Sequence, residues 1–175
     1  MTALQAVDAA HLNAGSTALI IGASGGVGSF AVQIALAIGA QVTGVCRQTK
    51  VDFVRSLGVE RVIAYDAVGD SDYGGPYDAI IDTGGDTPIA TLRTWLTPSG
   101  TLVIVGGEGG DPVTGMGRQL HARILSPFVR QRLTFIVNRE RQAELERLRR
   151  LVEDGVVKPA LDTTFPLEQA ADAMR

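Results

Sequence analysis

Short, nearly continuous apolar runs alternate along this chain with longer stretches whose apolar positions recur at helical spacing. Ser16–Ile21 reads as a first strand and Val27–Ile38 as the helix after it. Gln41–Cys46 reads as a second strand, and Lys50–Leu57 as a helix stopped by Gly58. Arg61–Tyr65 is a third strand, Asp66–Pro76 a polar, glycine-rich loop, and Tyr77–Asp82 a fourth strand. Thr87–Leu96 is helical and Thr101–Val105 a fifth strand. Gly106–Gly117 carries six glycines and a proline, so it reads as a long loop. Arg118–Leu125 is helical, Leu133–Val137 a sixth strand, and Arg139–Asp154 a helix. At the start, Met1–Asn13 forms a short helix with Leu4, Val7 and Leu12 roughly on one face. At the end, Pro159–Arg175 gives an extended piece and then a helix from Leu167.

Strands alternating with helices at this spacing predict βαβ units and a parallel sheet. The apolar strands Ala18–Ile21, Ala79–Ile81 and Leu102–Val105 fit a sheet covered on both faces. Six such strands predict a single-domain, three-layer α/β architecture, doubly wound in the order 3-2-1-4-5-6. Its ligand crevice is expected at the carboxyl ends of strands one and four.

The segment that fills this crevice is Ala18-Leu-Ile-Ile-Gly22-Ala23-Ser24-Gly25-Gly26-Val27-Gly28, with four glycines in its last seven residues. A strand, a tight glycine turn and a helix N-terminus in that order form a site for a pyrophosphate. Small residues let the backbone approach the phosphates, and unpaired N–H groups at the positive helix end favour the anion. The spacing Ala23-x-Gly25-x-x-Gly28 is the dinucleotide fingerprint with alanine at its first glycine. Gly25 would admit the pyrophosphate, and Gly28 would let the helix pack on strand one. The alternative is a tight turn that holds no ligand. A nucleoside-triphosphate loop is excluded, because Ser29-Phe30 stand where Lys-Ser/Thr is needed. The glycines at 22, 26 and 28 also match the loop of short-chain dehydrogenases, which need a Tyr-x-x-x-Lys pair. The tyrosines at 65, 73 and 77 are followed at that spacing by Gly69, Tyr77 and Ile81, so that pair is absent.

The end of strand two bears on the choice of cofactor. An NAD-specific domain places a carboxylate there for the ribose 2′-OH. Here Cys46 occupies the place, followed by Arg47 and, three residues on, Lys50. A carboxylate would repel a 2′-phosphate, whereas arginine pairs with it. The expectation is therefore NADPH rather than NADH, against the alternative that Arg47 and Lys50 only decorate a solvated turn. Cys46 reads as a small, semi-buried filler rather than a nucleophile.

With these residues in place, the chain resembles the medium-chain dehydrogenase/reductase superfamily, and within it the zinc-independent quinone oxidoreductase branch. The resemblance starts with Thr2-Ala-Leu-Gln-Ala-Val and the run from Gly15 through the glycine loop. It continues in Ser56-Leu-Gly-Val-Glu-Arg-Val-Ile-Ala-Tyr65, Asp78-Ala-Ile-Ile-Asp-Thr-Gly-Gly85 and Leu96-Thr-Pro-Ser-Gly-Thr-Leu-Val-Ile-Val-Gly-Gly107. Gly155-Val-Val-Lys-Pro-Ala160 and Phe165-Pro-Leu-Glu-Gln-Ala-Ala-Asp-Ala-Met174 complete it.

This resemblance implies a Rossmann fold and hydride transfer from NADPH to a quinone or an α,β-unsaturated carbonyl. It implies that Gly25, Gly26, Val27 and Gly28 meet the pyrophosphate, with Gly22 at the head of the turn and Ser24 reaching a phosphate or ribose. Arg47 and Lys50 would hold the 2′-phosphate, and Tyr65 would lie near the adenosine end. Thr83 and Gly84 would flank the nicotinamide ribose. Val105, Gly106 and Gly107 would face the carboxamide, with strand six completing that wall. Family members also carry an N-terminal GroES-like catalytic domain and end on a segment that returns to it. The chain is therefore expected to be the cofactor-binding domain alone, lacking half of the catalytic cleft. The family further implies a homodimer formed through the sheet edge near strand six.

Composition narrows the remaining classes. A length of 175 residues, 45% hydrophobic and 20% charged, suits one soluble globular domain. A net charge of −3 gives no reason to expect nucleic acid or an anionic membrane. One cysteine excludes an internal disulfide framework and a multi-cysteine zinc site. No apolar run approaches the roughly 20 residues of a membrane span, and the first residues lack a basic leader. The expected setting is a reduced cytoplasm. His11 on the first helix and His121 in the Arg118–Leu125 helix have no partners at metal-ligand spacing, so no metal is expected and no general acid is assigned.

Residues 118–150 hold nine arginines against three acids, with only Phe128 and Phe135 as interleaved aromatics. The helix over 140–152 places Leu145, Leu148 and Val152 on one side, the pattern of a solvated helix against the sheet. Two functions remain open besides the reductase domain: a non-catalytic NADP(H)-binding module for redox sensing or assembly, and a domain of an NAD(P)-dependent alcohol dehydrogenase.

Overall fold

A computed structural model describes residues 1–67, 73–84, 87–105, 129–136, 141–161 and 163–173. The sheet has six parallel strands: β1 (Thr17–Ile21), β2 (Gln41–Cys46), β3 (Arg61–Ala64), β4 (Tyr77–Asp82), β5 (Leu96–Ile104) and β6 (Arg132–Phe135). Their order is β3-β2-β1-β4-β5-β6, the doubly wound order expected from the sequence. Ala18 pairs with Val42 on one side and Ala79 on the other, so β1 is the central strand on which both halves are built.

Alternation along each strand splits the interior in two. Ala18, Ile20, Ala79, Ile81 and Val103 belong to one buried cluster, shared with helices α1 (Thr2–Ala10), α2 (Gly28–Ala37) and α3 (Val51–Ser56). Leu19, Ile80, Leu102 and Ile104 belong to the other, shared with Ile89 and Leu92 of α4 (Ile89–Thr94). The central strands are thus apolar on both sides, as a sheet covered on both faces requires. α2 is buried almost all round because its sequence, Gly-Ser-Phe-Ala-Val-Gln-Ile-Ala-Leu-Ala, presents small residues to the sheet.

Several boundaries differ from the sequence reading, each for a local reason. α1 stops at Ala10, because His11 takes a left-handed conformation (φ 53°) and its N–H closes on the Asp8 carbonyl. The fourth helix is shorter than Thr87–Leu96. Pro88 is extended before it, and the Trp95 carbonyl accepts the Tyr77 N–H at 2.7 Å, so the chain turns straight into β5. β5 therefore begins at Leu96, opposite Tyr77, with a register irregularity before Ala79.

The helix expected over Arg139–Asp154 is α5 (Gln142–Glu153), and it corrects the packing assigned to it. Leu145 is 51% exposed, Val152 is also exposed, and no residue of α5 is buried. Leu151 is the side chain that packs against the core. α5 is instead held to α1 by polar contacts: Arg147 donates to both Asp8 carboxylate oxygens at 2.8 Å, and Gln5 donates to Glu144. The tail ends in α6 (Ala170–Ala173), after a helical turn that opens at Leu167 as expected. The loop expected over Gly106–Gly117 and the helix over Arg118–Leu125, with His121, lie outside the described residues.

One glycine inside a strand positions the site. A Cβ on Gly44 of β2 would stand 2.8 Å from Val54 Cγ1 and 3.2 Å from the Ala23 Cβ. Its absence lets both α3 and the turn after β1 close onto β2. Gly44→Ala should therefore lower the unfolding free energy by about 1–3 kcal/mol through overpacking. Gly26→Ala, whose added Cβ meets nothing within 4 Å, should stay within about 0.5 kcal/mol of the unmodified chain. Urea unfolding checks both; equal stability of the two variants would contradict the close packing at Gly44.

Candidate functional site

The carboxyl ends of β1, β2 and β4 converge on a cleft of about 530 Å³. Its floor is the turn that follows β1. The N–H groups of Gly22 and Ala23 both donate to the Val45 carbonyl, at 3.0 and 2.9 Å, which stitches the turn to β2. Gly22 takes φ 80°, a conformation that favours glycine. Gly25 N–H closes on the Gly22 carbonyl at 2.9 Å, and Ser29 N–H closes on the Gly25 carbonyl at 2.9 Å to begin α2. A Cβ on Gly28 would overlap the Gly22 carbonyl oxygen, so the first turn of α2 rests directly on the end of β1.

This packing leaves the N–H groups of Gly26, Val27 and Gly28 without a backbone acceptor among the described residues. They stand at the positive end of α2, and the space beside Gly26 is open. Such a group of donors fits an anion that approaches the backbone closely.

β4 supplies the opposite wall. The Thr83 hydroxyl donates to the Ile21 carbonyl at 2.7 Å, and Thr83 N–H donates to the same carbonyl at 3.0 Å. Thr83 thus ties the end of β4 to the end of β1, while lining the cleft beside Gly84. Gly84 N–H is bound at 3.1 Å by the carboxylate of Asp82, which is fully buried. Asp82 also fixes β5, its carbonyl accepting from Val105 N–H at 2.9 Å.

The rim at the end of β2 carries the charge. Arg47 Nε donates to the Tyr65 hydroxyl at 2.6 Å, which raises the guanidinium's already high pKa. Gln48 N–H binds Asp66 at 2.8 Å, and Lys50 N–H binds the Arg47 carbonyl at 2.9 Å. These bonds shape the turn so that Arg47, Lys50 and Tyr65 share the cleft with Ser24 and Gly25. Cys46 lines it too, but it is 1% exposed, and burial, then the neighbouring Asp66 charge, push its thiol pKa up. A thiol held in its protonated form is a filler rather than a nucleophile.

The residues singled out from sequence divide as follows. Gly22, Ser24, Gly25, Arg47, Lys50, Tyr65, Thr83 and Gly84 all line the one cleft. Gly26 lines an adjoining pocket, Val27 packs against the core, and Gly28 is buried beneath the turn. Val105 packs at the end of β5 and is not part of the cleft wall. Gly106 and Gly107 lie outside the described residues.

Sequence reasoning missed Val45, Tyr73 and Thr87, which also line the cleft. Tyr73 stacks on Trp95 with ring centroids 4.3 Å apart and planes 5° from parallel, and its carbonyl accepts the Tyr77 hydroxyl at 2.6 Å. It falls in a stretch whose composition reads as loop, where a lone aromatic ahead of Gly74-Gly75 was the available signal. Among the described residues, no three His, Cys, Asp or Glu side chains come together in a way that holds a metal ion. No described helix is long and apolar enough to cross a membrane.

Residues 57–175 match the family model described as zinc-binding dehydrogenase. The chain is 32% identical to a chloroplast envelope quinone oxidoreductase homolog of Arabidopsis thaliana, across 89% of this chain and 46% of that protein. It is 33% identical to an NAD-dependent alcohol dehydrogenase of Sulfolobus acidocaldarius, across 99% of this chain and 50% of that protein. Among solved structures, the quinone oxidoreductase of Coxiella burnetii superposes with a TM-score of 0.83 at 26% identity, covering 99% of this chain and 52% of that one. The chain thus spans about half the length of the curated relatives it matches. The family's name implies zinc, and the described donors do not fit one: the single cysteine is buried and protonated, and no cluster of ligands surrounds it. On the strength of the match over residues 57–175, the glycine turn and the sheet order, the chain belongs to the zinc-binding dehydrogenase family of the medium-chain dehydrogenase/reductase superfamily, with quinone oxidoreductase-like relatives.

Proposed function

We propose that this chain is the nicotinamide-dinucleotide-binding domain of a two-domain reductase in the reduced cytoplasm. Its preferred cofactor is NADPH, and the acceptor is a quinone or an α,β-unsaturated carbonyl. One observation carries the reading: the turn into α2 offers three neighbouring N–H groups while excluding a side chain at Gly28. Such a cradle serves an anion held against the backbone, as a pyrophosphate is.

In this reading Gly22, Ser24, Gly25, Gly26, Val27 and Gly28 hold the pyrophosphate. Arg47 and Lys50 take the ribose 2′-phosphate, and Tyr65 lies along the adenosine. The bond from Arg47 Nε to Tyr65 leaves the two terminal nitrogens of the guanidinium as a fork for phosphate oxygens. Tyr65 thereby fixes the direction of that fork before ligand arrives. Thr83 and Gly84 flank the nicotinamide ribose, with Val105, Gly106 and Gly107 beyond them at the carboxamide. When bound, NADPH supplies the hydride; the chain's own residues fix where its reactive ring stands. Two copies associate through β6, one of the two strands at the sheet edges.

Trp95 is the sole tryptophan and is stacked on Tyr73 of the cleft, so its emission reports binding directly. Titration should give tighter binding of NADPH than of NADH. Arg47→Ala should weaken NADPH by about tenfold while leaving NADH within twofold, since a charge-assisted bond to phosphate is what it removes. Equal affinities that Arg47→Ala does not change would refute the NADPH assignment. Gly26→Ala should fold normally yet weaken both dinucleotides by about tenfold or more, because its methyl occupies the space of the phosphates. Light scattering should give the mass of two chains; a single-chain mass would remove the β6 contact from the reading.

A further inference from the structure

Gln33 is a polar residue in the middle of the largely apolar α2, and it is only 9% exposed. A buried amide is costly unless its groups find partners. Here they do, and most of them come from far along the chain. Oε1 accepts the Lys158 N–H at 2.8 Å, and Nε2 donates to the Lys158 carbonyl at 3.2 Å. Nε2 also donates to the Ser29 carbonyl at 3.0 Å, within the first turn of α2. The amide therefore acts as a short strand edge that grips one residue of the tail through both of its backbone groups.

The grip does not stand alone. Val157, the residue before it, is fully buried, with its N–H on the Leu151 carbonyl at 2.9 Å. Beyond the grip, Ala160 and Leu161 face Ser24, Gly26, Ser29 and Lys50 across a pocket of about 230 Å³. That pocket shares Ser24, Gly25 and Lys50 with the main cleft, so it is the continuation of the cleft over the glycine turn. Leu161 is 85% exposed, so the chain reaches this position without being pulled there by apolar burial at its own end. Gln33 and Val157 are the anchors that put it there.

We propose that Gln33 is a positioning residue of the dinucleotide site. It holds residues 158–161 as the outer wall of the pyrophosphate turn, a role that rests on the dinucleotide reading above. Gln33 touches no ligand itself. Its contribution is to keep this segment at fixed distance from Ser24, Gly26 and Lys50, so that the phosphates enter a three-sided channel rather than an open shelf.

The test compares the unmodified chain with Gln33→Met, which keeps length and volume but removes the three hydrogen bonds. Binding is measured for whichever of NADPH and NADH the unmodified chain prefers, and for 2′-AMP, which has no pyrophosphate. Gln33→Met should weaken the dinucleotide by about tenfold and leave 2′-AMP within twofold. A purely structural loss would shift both ligands together, and that result overturns the proposal, as does an unchanged dinucleotide affinity. Amide exchange supplies a second readout on the unmodified chain, which serves if the variant does not fold. Added dinucleotide should slow exchange across 156–161, and no change there overturns the wall. If the unmodified chain binds neither dinucleotide, the cofactor reading itself falls and this role with it. Binding by the unmodified chain with no effect of Gln33→Met removes the inference alone.

Discussion

The first turn of α2 lies so close to the end of β1 that no side chain fits between them. A Cβ on Gly28 would overlap the Gly22 carbonyl oxygen and come within 2.9 Å of the Ala23 Cα. The rest of the molecule is arranged to allow this contact. Gly44 vacates the space beneath Ala23, Val45 accepts two N–H groups from the turn, and Thr83 fastens β4 to the Ile21 carbonyl. Together they make β2 and β4 depend on the same few atoms. The contact also has a chemical consequence, because a helix seated this way leaves the N–H groups of Gly26, Val27 and Gly28 without a backbone acceptor among the described residues, beside the crevice where the strand order reverses.

Much of this was legible in the sequence, and the exceptions have physical causes. The sheet order could be read because each apolar run is short and bounded by turn residues, so no other alternation of elements fits. The glycine turn could be read because its spacing is a steric requirement. Gly44 was passed over because a glycine within a strand has no pattern of its own; its meaning lies in Val54 and Ala23, which reach it from other elements. Tyr73 was missed for the same reason, since its partner Trp95 is distant in sequence. Helix periodicity misled at α5. Leu145, Leu148 and Val152 form a clear stripe, but the polar contacts to Asp8 and Gln5 fix the helix in an orientation that leaves Leu145 and Val152 in solvent.

α5 stays at the margin of the interior as a result. The cluster under α1, α2 and α3 draws on residues from Ala3 to Val157, whereas α5 contributes only Leu151 at its margin. Exposed ion pairs such as Arg147–Asp8 add little each, commonly below about 1 kcal/mol. Residues 141–161 are therefore joined to the domain chiefly through Leu151, Val157 and the amide of Gln33. Local opening there is expected to cost less than opening of the central strands, which are buried on both faces. A ligand wall built from this segment would be firm only where those anchors hold it.

Two kinds of chemistry meet in the cleft, and they differ in how readily sequence change alters them. In the proposed reading the anion cradle consists of backbone N–H groups, and its geometry is set by packing between β1, β2 and α2. Substitutions that leave this packing intact leave the cradle intact. The rim consists of exposed side chains: Arg47, Lys50 and Tyr65, the last 45% exposed. These can be exchanged at little cost to the fold, because surface changes away from the core seldom shift stability by more than about 0.5 kcal/mol. One scaffold can thus keep the capacity to hold a dinucleotide while its rim is retuned between a ribose hydroxyl and a ribose phosphate. In the proposed reading, the exchange of a carboxylate for Cys46 and Arg47 at the end of β2 is such a retuning. It adds a phosphate fork at the rim and leaves the bonds that hold the turn, from Gly22 and Ala23 to Val45, where they were.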